Sequence, residues 1–213
     1  MDTVKQMEAD AKERAFRVRP IPFRAPMVRA ILEGRKTMTR RVLAPRKGLT
    51  FGDLIDNGER VKGGYCCTRD QVEEPRYAVG DTLWVREAWR TWVQFDDLPP
   101  RDIPHAVLVQ YLADDPVSPW DSRYRHARFM PRWASRIDLR VTAVRVERLQ
   151  RIREEDAIKE GIRRHREPSF DYNEWVWADP RDTFAAFWNS IYGPDAWAEN
   201  PWVAAISFER IKP

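Results

Sequence analysis

Ile137, Leu139, Val141 and Ala143 alternate with polar residues, the period of a β-strand with one buried face. The apolar phase then slips by one, to Val144 and Val146. Strand side chains alternate with a period of two, so the slip predicts a bulge or a barrel corner. Residues 82–89 predict a second strand, with Leu83, Val85 and Glu87 set against Trp84, Arg86 and Ala88. The final strand, Trp202–Ile211, carries apolar residues on both faces, which marks it as central or heavily covered. Phe184, Phe187, Trp188 and Ile191 recur at i, i+3, i+4 and i+7. With Asp179 as cap, Pro180 in the first turn and Gly193-Pro194 as stop, they predict a helix with Trp188 in the core. A shorter helix begins at Pro26, buries Val28, Ile31 and Leu32, and ends at Gly34. Another spans 154–160, with three acids in its first turn and Gly161 to close it.

Arg19-Pro20-Ile21-Pro22-Phe23 reads as extended, because proline disfavours helix at the residue before it. Residues 44–77 and 93–134 show little periodicity and read as two insertions, the second with a strand within 107–112. A loop is expected at 165–180, with Trp175 and Trp177 as a lid or a cover for the core. Strands separated by short helices and bent by bulges predict an α+β fold: a small mixed β-barrel with short flanking helices. Residues 1–18 form a lead-in and 19–213 a single domain.

A chain of 213 residues can bury a sufficient core without disulfides, and its two cysteines, Cys66 and Cys67, are adjacent. No apolar run approaches the ~20 residues of a membrane span. The first fifteen residues lack the apolar stretch of a secretory signal. A cytoplasmic protein with no membrane partner is expected. The net charge is only +4, too small for a large duplex-binding footprint. Thirty of the 37 Lys and Arg residues are arginine, however, and there are ten tryptophans. That pairing suits unpaired nucleic acid or a nucleobase, and equally a tryptophan-rich core in a chain of arginine-favouring codons.

No phosphate-binding glycine loop, HExxH or GxSxG is present. His105, His126 and His165 lack metal spacing, so neither a metal nor a cofactor is expected. One stretch carries chemistry: Gly34-Arg35-Lys36-Thr37-Met38-Thr39-Arg40-Arg41 fits G-x-K-x-x-x-x-R. The neighbouring cations and partial burial both disfavour the protonated form of Lys36, as a general base requires. Thr39 lies three residues on, close enough for its hydroxyl to serve as a nucleophile in an extended or turn geometry. The same run also reads as a solvated basic turn.

These residues resemble the ASCH domain family of the PUA-like superfamily. The resemblance continues through Gly80-Asp81-Thr82-Leu83-Trp84-Val85-Arg86-Glu87 and Met130-Pro131-Arg132-Trp133-Ala134-Ser135-Arg136-Ile137. It extends over 154–162, Phe187-Trp188-Asn189-Ser190-Ile191-Tyr192-Gly193 and Asn200-Pro201-Trp202-Val203. The pattern is most similar to the longer ASCH-like proteins of phages and prophages. It implies a PUA-like barrel whose pocket takes RNA, a nucleoside or a modified nucleobase.

A compact branch of the family comprises N4-acetylcytidine amidohydrolases with a Lys base, a Thr nucleophile and a Glu proton donor. The matching residues are Lys36, Thr39 and Glu160. This chain is longer than that branch, and Arg153 stands where longer relatives usually have a small helix cap. Arg35, Arg40, Arg41, Trp84, Arg86, Glu87 and Trp133 are the candidate substrate-binding residues. The resemblance leaves three further readings: a non-catalytic RNA-binding module, a ribonuclease, or a phage accessory or morphogenetic protein. The amidohydrolase reading requires Lys36, Thr39 and Glu160 to converge in one cavity.

Overall fold

The computed structural model describes residues 15–47, 55–56, 59–60, 68–114, 122–168 and 175–211. In chain order the elements begin β1 (Val18–Pro22), α1 (Ala25–Leu32), β2 (Met38–Val42), β3 (Ile55–Asp56), β4 (Glu59–Arg60) and β5 (Thr82–Arg86). β6 (Trp89–Arg90), β7 (Gln110–Tyr111), β8 (Asp138–Arg148), α2 (Glu154–Lys159) and β9 (Arg166–Pro168) follow. The chain closes with β10 (Trp175–Trp177), α3 (Pro180–Tyr192) and β11 (Trp202–Ile211).

The two longest strands, β8 and β11, pair antiparallel at the centre of a five-stranded mixed sheet ordered β1-β5-β8-β11-β2. Ser207 faces Ala143 and Phe208 faces Val141, so Thr142 is an extra residue on β8. This is the bulge that the phase slip predicts, and it lets both halves of β8 turn apolar residues inward. β11 is covered on both faces. On one, Ile206 and Phe208 join Ile21, Leu83, Leu139 and Val141. On the other, Val203 packs with Leu149, Ile152, Ala157, Phe184 and Trp188. Trp188 is therefore core, as its helical spacing predicts.

The fold is a mixed α+β sheet with few helices. A closed barrel is not formed among the described residues: β1 and β2 are the two edges of the sheet. Side chains span part of that gap. The Arg41 guanidinium donates to the Pro22 carbonyl at 2.7 Å and lies 5.1 Å from the centre of the Phe23 ring.

Residues 93–134 pack more firmly than an insertion read from composition suggests. Fully buried Trp89 gathers Ile103, Met130 and Ala134, with Tyr111 and Trp133 against them. The strand expected over 107–112 shortens to Gln110–Tyr111, paired with β6. The loop expected at 165–180 contains an antiparallel ribbon, β9 with β10, and Trp177 is 68% exposed on it. Cys66 and Cys67 lie outside the described residues, as does the lead-in before residue 15.

The helices end where glycine permits. Gly34 (φ 74°) and Gly161 (φ 97°) occupy the left-handed region that other L-residues enter at a cost of roughly 1–2 kcal/mol. Gly161 meets a second constraint. A Cβ there would lie 3.1 Å from the Ala30 Cβ and 3.2 Å from the Lys36 Cβ, whereas one at Gly34 meets nothing within 4 Å. Gly34→Ala is expected to lower stability in urea unfolding by about 1 kcal/mol. Gly161→Ala should lower it by clearly more, since it adds crowding against Lys36 to the same backbone strain.

Candidate functional site

The loop from α1 into β2 is strapped between two helix ends. The amides of Arg35 and Lys36 both donate to the Ala30 carbonyl at 2.9 Å, and the Thr37 amide donates to the Lys159 carbonyl at 2.8 Å. Lys36 is thereby laid against the end of α2, at Glu160. Its Nζ donates to Glu160 Oε2 at 2.6 Å and to the Glu160 main-chain carbonyl at 2.9 Å. Both residues are buried, Lys36 2% and Glu160 6% exposed. Burial pushes the Lys36 ammonium below its ordinary value. Glu160 opposes this shift, while Arg41 and Arg40 reinforce it.

Arg40 holds the other side of Glu160. Its Nη1 lies 3.2 Å from Glu160 Oε1, and its Nη2 donates to Glu147 at 2.8 Å and Asp156 at 3.0 Å. Arg145 completes the cluster through Asp156 at 2.8 Å. The sequence reading cast Arg40 as a substrate ligand, but its terminal nitrogens are engaged by three carboxylates. Its position makes it the residue that orients Glu160. Glu147 and Asp156 were missed. The available signal was the i, i+4 spacing of Asp156 and Glu160, which puts two acids on one helical face beside core Ala157.

Thr39 is buried opposite Ile206 in the β2–β11 register. Among the described residues its hydroxyl has no protein partner, and it is not bonded to Lys36. It lines a narrow crevice with Glu160, Arg41, Met27 and Ile191. Thr37 and Leu43 bond to β11 through their main chains. In this antiparallel register the main-chain groups of Met38, Arg40 and Val42 therefore face the free edge of β2. Met27, Arg41 and Ile191 also line a wider groove of about 520 Å³, which runs past Phe23 to Tyr124 and His126. That volume falls within the range of small-ligand sites. The structure thus pairs Lys36 with Glu160 and sets Glu160 and Thr39 on one crevice of about 10 Å³, which shares Met27, Arg41 and Ile191 with the mostly apolar groove; Lys36 lines neither.

The other candidates lie elsewhere. Arg35 donates to Glu33 at 2.6 Å and to the Gly161 carbonyl at 2.8 Å. Trp84 is buried beneath Arg86 and Arg132, and Arg86 donates to the Arg128 carbonyl. Glu87 is forked by Arg136 at 2.9 and 3.1 Å; burial raises its carboxyl above the usual range, against the pull of Arg136. Trp133 packs edge-on to Trp89 and stacks on His105. None of Trp84, Arg86, Glu87 and Trp133 lines the groove or the crevice. Among the described residues no group of three or more His, Cys, Asp or Glu is arranged to hold a metal ion. No helix there is long and apolar enough to cross a membrane.

Removing one member of a buried charge cluster leaves the others uncompensated, which typically costs about 3–5 kcal/mol. Arg40→Gln is expected to lose about that much in urea unfolding at neutral pH.

No family model matches the chain, and neither does any curated protein. Among solved structures, the chain is similar to protein EF3133 from Enterococcus faecalis V583, of family-model DUF984. The identity is 12% over 99% of this chain and 91% of that one, with a TM-score of 0.38. At that level of similarity, any functional reading rests on the geometry of this chain itself.

Proposed function

We propose that this chain is an ASCH-type, PUA-like domain, its barrel opened between β1 and β2, that recognises a modified nucleobase and hydrolyses the N4-acyl amide of acetylcytidine in the cytoplasm. The observation that carries the proposal is the buried Lys36–Glu160 contact at 2.6 Å, with Glu160 lining the same crevice as a Thr39 hydroxyl that has no partner among the described residues, next to a groove of ligand size.

Amide hydrolysis needs a nucleophile, a base to activate it and an acid for the leaving amine. Burial favours the neutral amine of Lys36, which takes the Thr39 proton as Oγ attacks the acetyl carbon. The Arg40 main-chain N–H, on the free edge of β2, is a donor for the oxyanion. Lys36 passes the proton across its short contact to Glu160, and Glu160 delivers it to N4 as the C–N bond breaks. Cytidine leaves and Thr39 holds the acetyl ester. Water then attacks the ester, giving its proton to the pair, which returns it to the Thr39 oxygen as acetate departs. Arg41, at the junction of crevice and groove, is placed to contact the base or its phosphate.

A second reading, a non-catalytic base-binding module, draws support from Lys36 and Glu160 satisfying one another without a ligand. Incubation with N4-acylated cytidines and short RNAs, followed by mass analysis, separates the two. Wild type is expected to release free cytidine and acetate. Lys36→Ala, Thr39→Ala and Glu160→Ala should each slow this by about a hundredfold or more while circular dichroism shows them folded. Unmodified substrates with measurable binding would establish the module, and shortened RNA would establish a nuclease.

A further inference from the structure

We propose that the crevice beside Thr39 is a pocket for a single oxygen atom, in which the indole N–H of Trp188 and the Nε–H of Arg40 receive the carbonyl oxygen of the ligand's acyl group. The inference rests on the reading that the adjoining groove takes an acylated base. It adds the side chain that tells an acyl substituent from an alkyl one.

Size restricts what can enter. The crevice measures about 10 Å³, close to one water-sized sphere. No ring fits there, so the occupant is a small group projecting from a ligand in the groove. The two spaces meet at Met27, Arg41 and Ile191.

Hydrogen bonding restricts it further. Trp188 and Arg40 line the crevice with Thr39 and Glu160. Trp188 is 3% exposed and Arg40 2%. Among the described residues, Trp188 Nε1 and Arg40 Nε nevertheless have no hydrogen-bond partner. The carboxylate on the same crevice is already engaged: Glu160 Oε1 faces Arg40 at 3.2 Å and Oε2 accepts from Lys36 at 2.6 Å. Two N–H groups are therefore left over beside a carboxylate whose oxygens are both in use. A buried donor without a partner is costly, and two on one crevice call for an acceptor. The indole N–H only donates, which excludes an amine or a cation as the occupant. A carbonyl oxygen has two lone pairs and can take both bonds.

Both donors are held in place. The Trp188 ring is packed between Phe184 and Tyr192, at 5.9 and 4.4 Å between ring centres. The terminal nitrogens of Arg40 are pinned by Glu147, Asp156 and Glu160. Fixed donors, one of them on a guanidinium, gain strength as an oxygen acquires negative charge. They would serve a bound carbonyl and, more strongly, the oxyanion formed when Thr39 attacks.

The test compares N4-acetylcytidine with N4-ethylcytidine, which keeps the two-carbon substituent and lacks the oxygen. Binding is measured by calorimetry in Thr39→Ala, where turnover is suppressed. That variant should bind the acetyl compound about tenfold or more tighter than the ethyl one. Adding Trp188→Phe, which retains an aromatic ring and removes the N–H, should abolish most of that preference; a purely structural role would weaken both ligands alike. In Thr39→Ala the Trp188 indole N–H resonance should shift with the acetyl compound only, a readout independent of how the Phe variant folds. In the otherwise wild-type chain, Trp188→Phe should lower kcat/KM for N4-acetylcytidine about tenfold or more. A preference that survives Trp188→Phe, or an indole resonance that does not respond, overturns the oxygen pocket. Hydrolysis by wild type without any acetyl preference refutes the pocket and spares the chemistry. An acetyl preference that depends on Trp188, in a protein that hydrolyses nothing, supports the pocket and refutes the chemistry. Absence of both binding and hydrolysis overturns the two together.

Discussion

Two basic side chains, Lys36 and Arg40, are buried beside Glu147, Asp156 and Glu160, and much of this molecule is arranged to make that possible. An ion withdrawn from water carries a penalty of several kcal/mol, recovered only when its partners are close and its remaining donors are met. Here each basic group has carboxylate oxygens at 2.6–3.2 Å, and Arg145 closes the outer side. The carboxylates come from β8 and from the end of α2, while the basic groups come from β2 and the loop before it. The cluster therefore ties an edge strand, a central strand and a helix together at one point. Hydrophobic burial on either side of β11 holds the same elements, but without directional demand.

That arrangement also explains an oddity of β2. Met38, Thr39 and Arg40 are consecutive and all buried, although strand side chains point alternately to opposite faces. Thr39 and Arg41 share a face with Ile206 and Ala204, and Arg40 shares the other with Ala205. Only an edge strand covered on both sides, by the apolar cluster on one and by α2 with its acids on the other, can hide a threonine and an arginine side by side.

Elements with a clean period were legible in the sequence. The stripe of α3, the alternation and slip of β8 and the double-sided pattern of β11 each follow from side-chain geometry and local caps. The convergence of Lys36 with Glu160 was legible only through motif resemblance, since 124 residues separate them and no local signal links them. Arg40 was misread for a related reason. In sequence it is one of several arginines in a basic run, and only the tertiary packing of Asp156 and Glu147 distinguishes it from solvated neighbours. The order within 93–134 was hidden because its small core is built around Trp89, which lies outside the segment. Asn200 is a similar case: its φ of 45° and its side-chain bond to the Gln150 amide give the Asn-Pro pair a structural role that spacing alone does not reveal.

The strap that fixes residues 35–37 has a mechanical corollary. Since those amides hang from the ends of α1 and α2, Lys36 and Glu160 are held where the two helices end. If a ligand enters as proposed, the wall left to yield is the opposite one, where Ile191 and Tyr192 occupy the last turn of α3. Under that reading, ligand preference would drift through changes in that wall, generation by generation, while the strapped pair stays as it is.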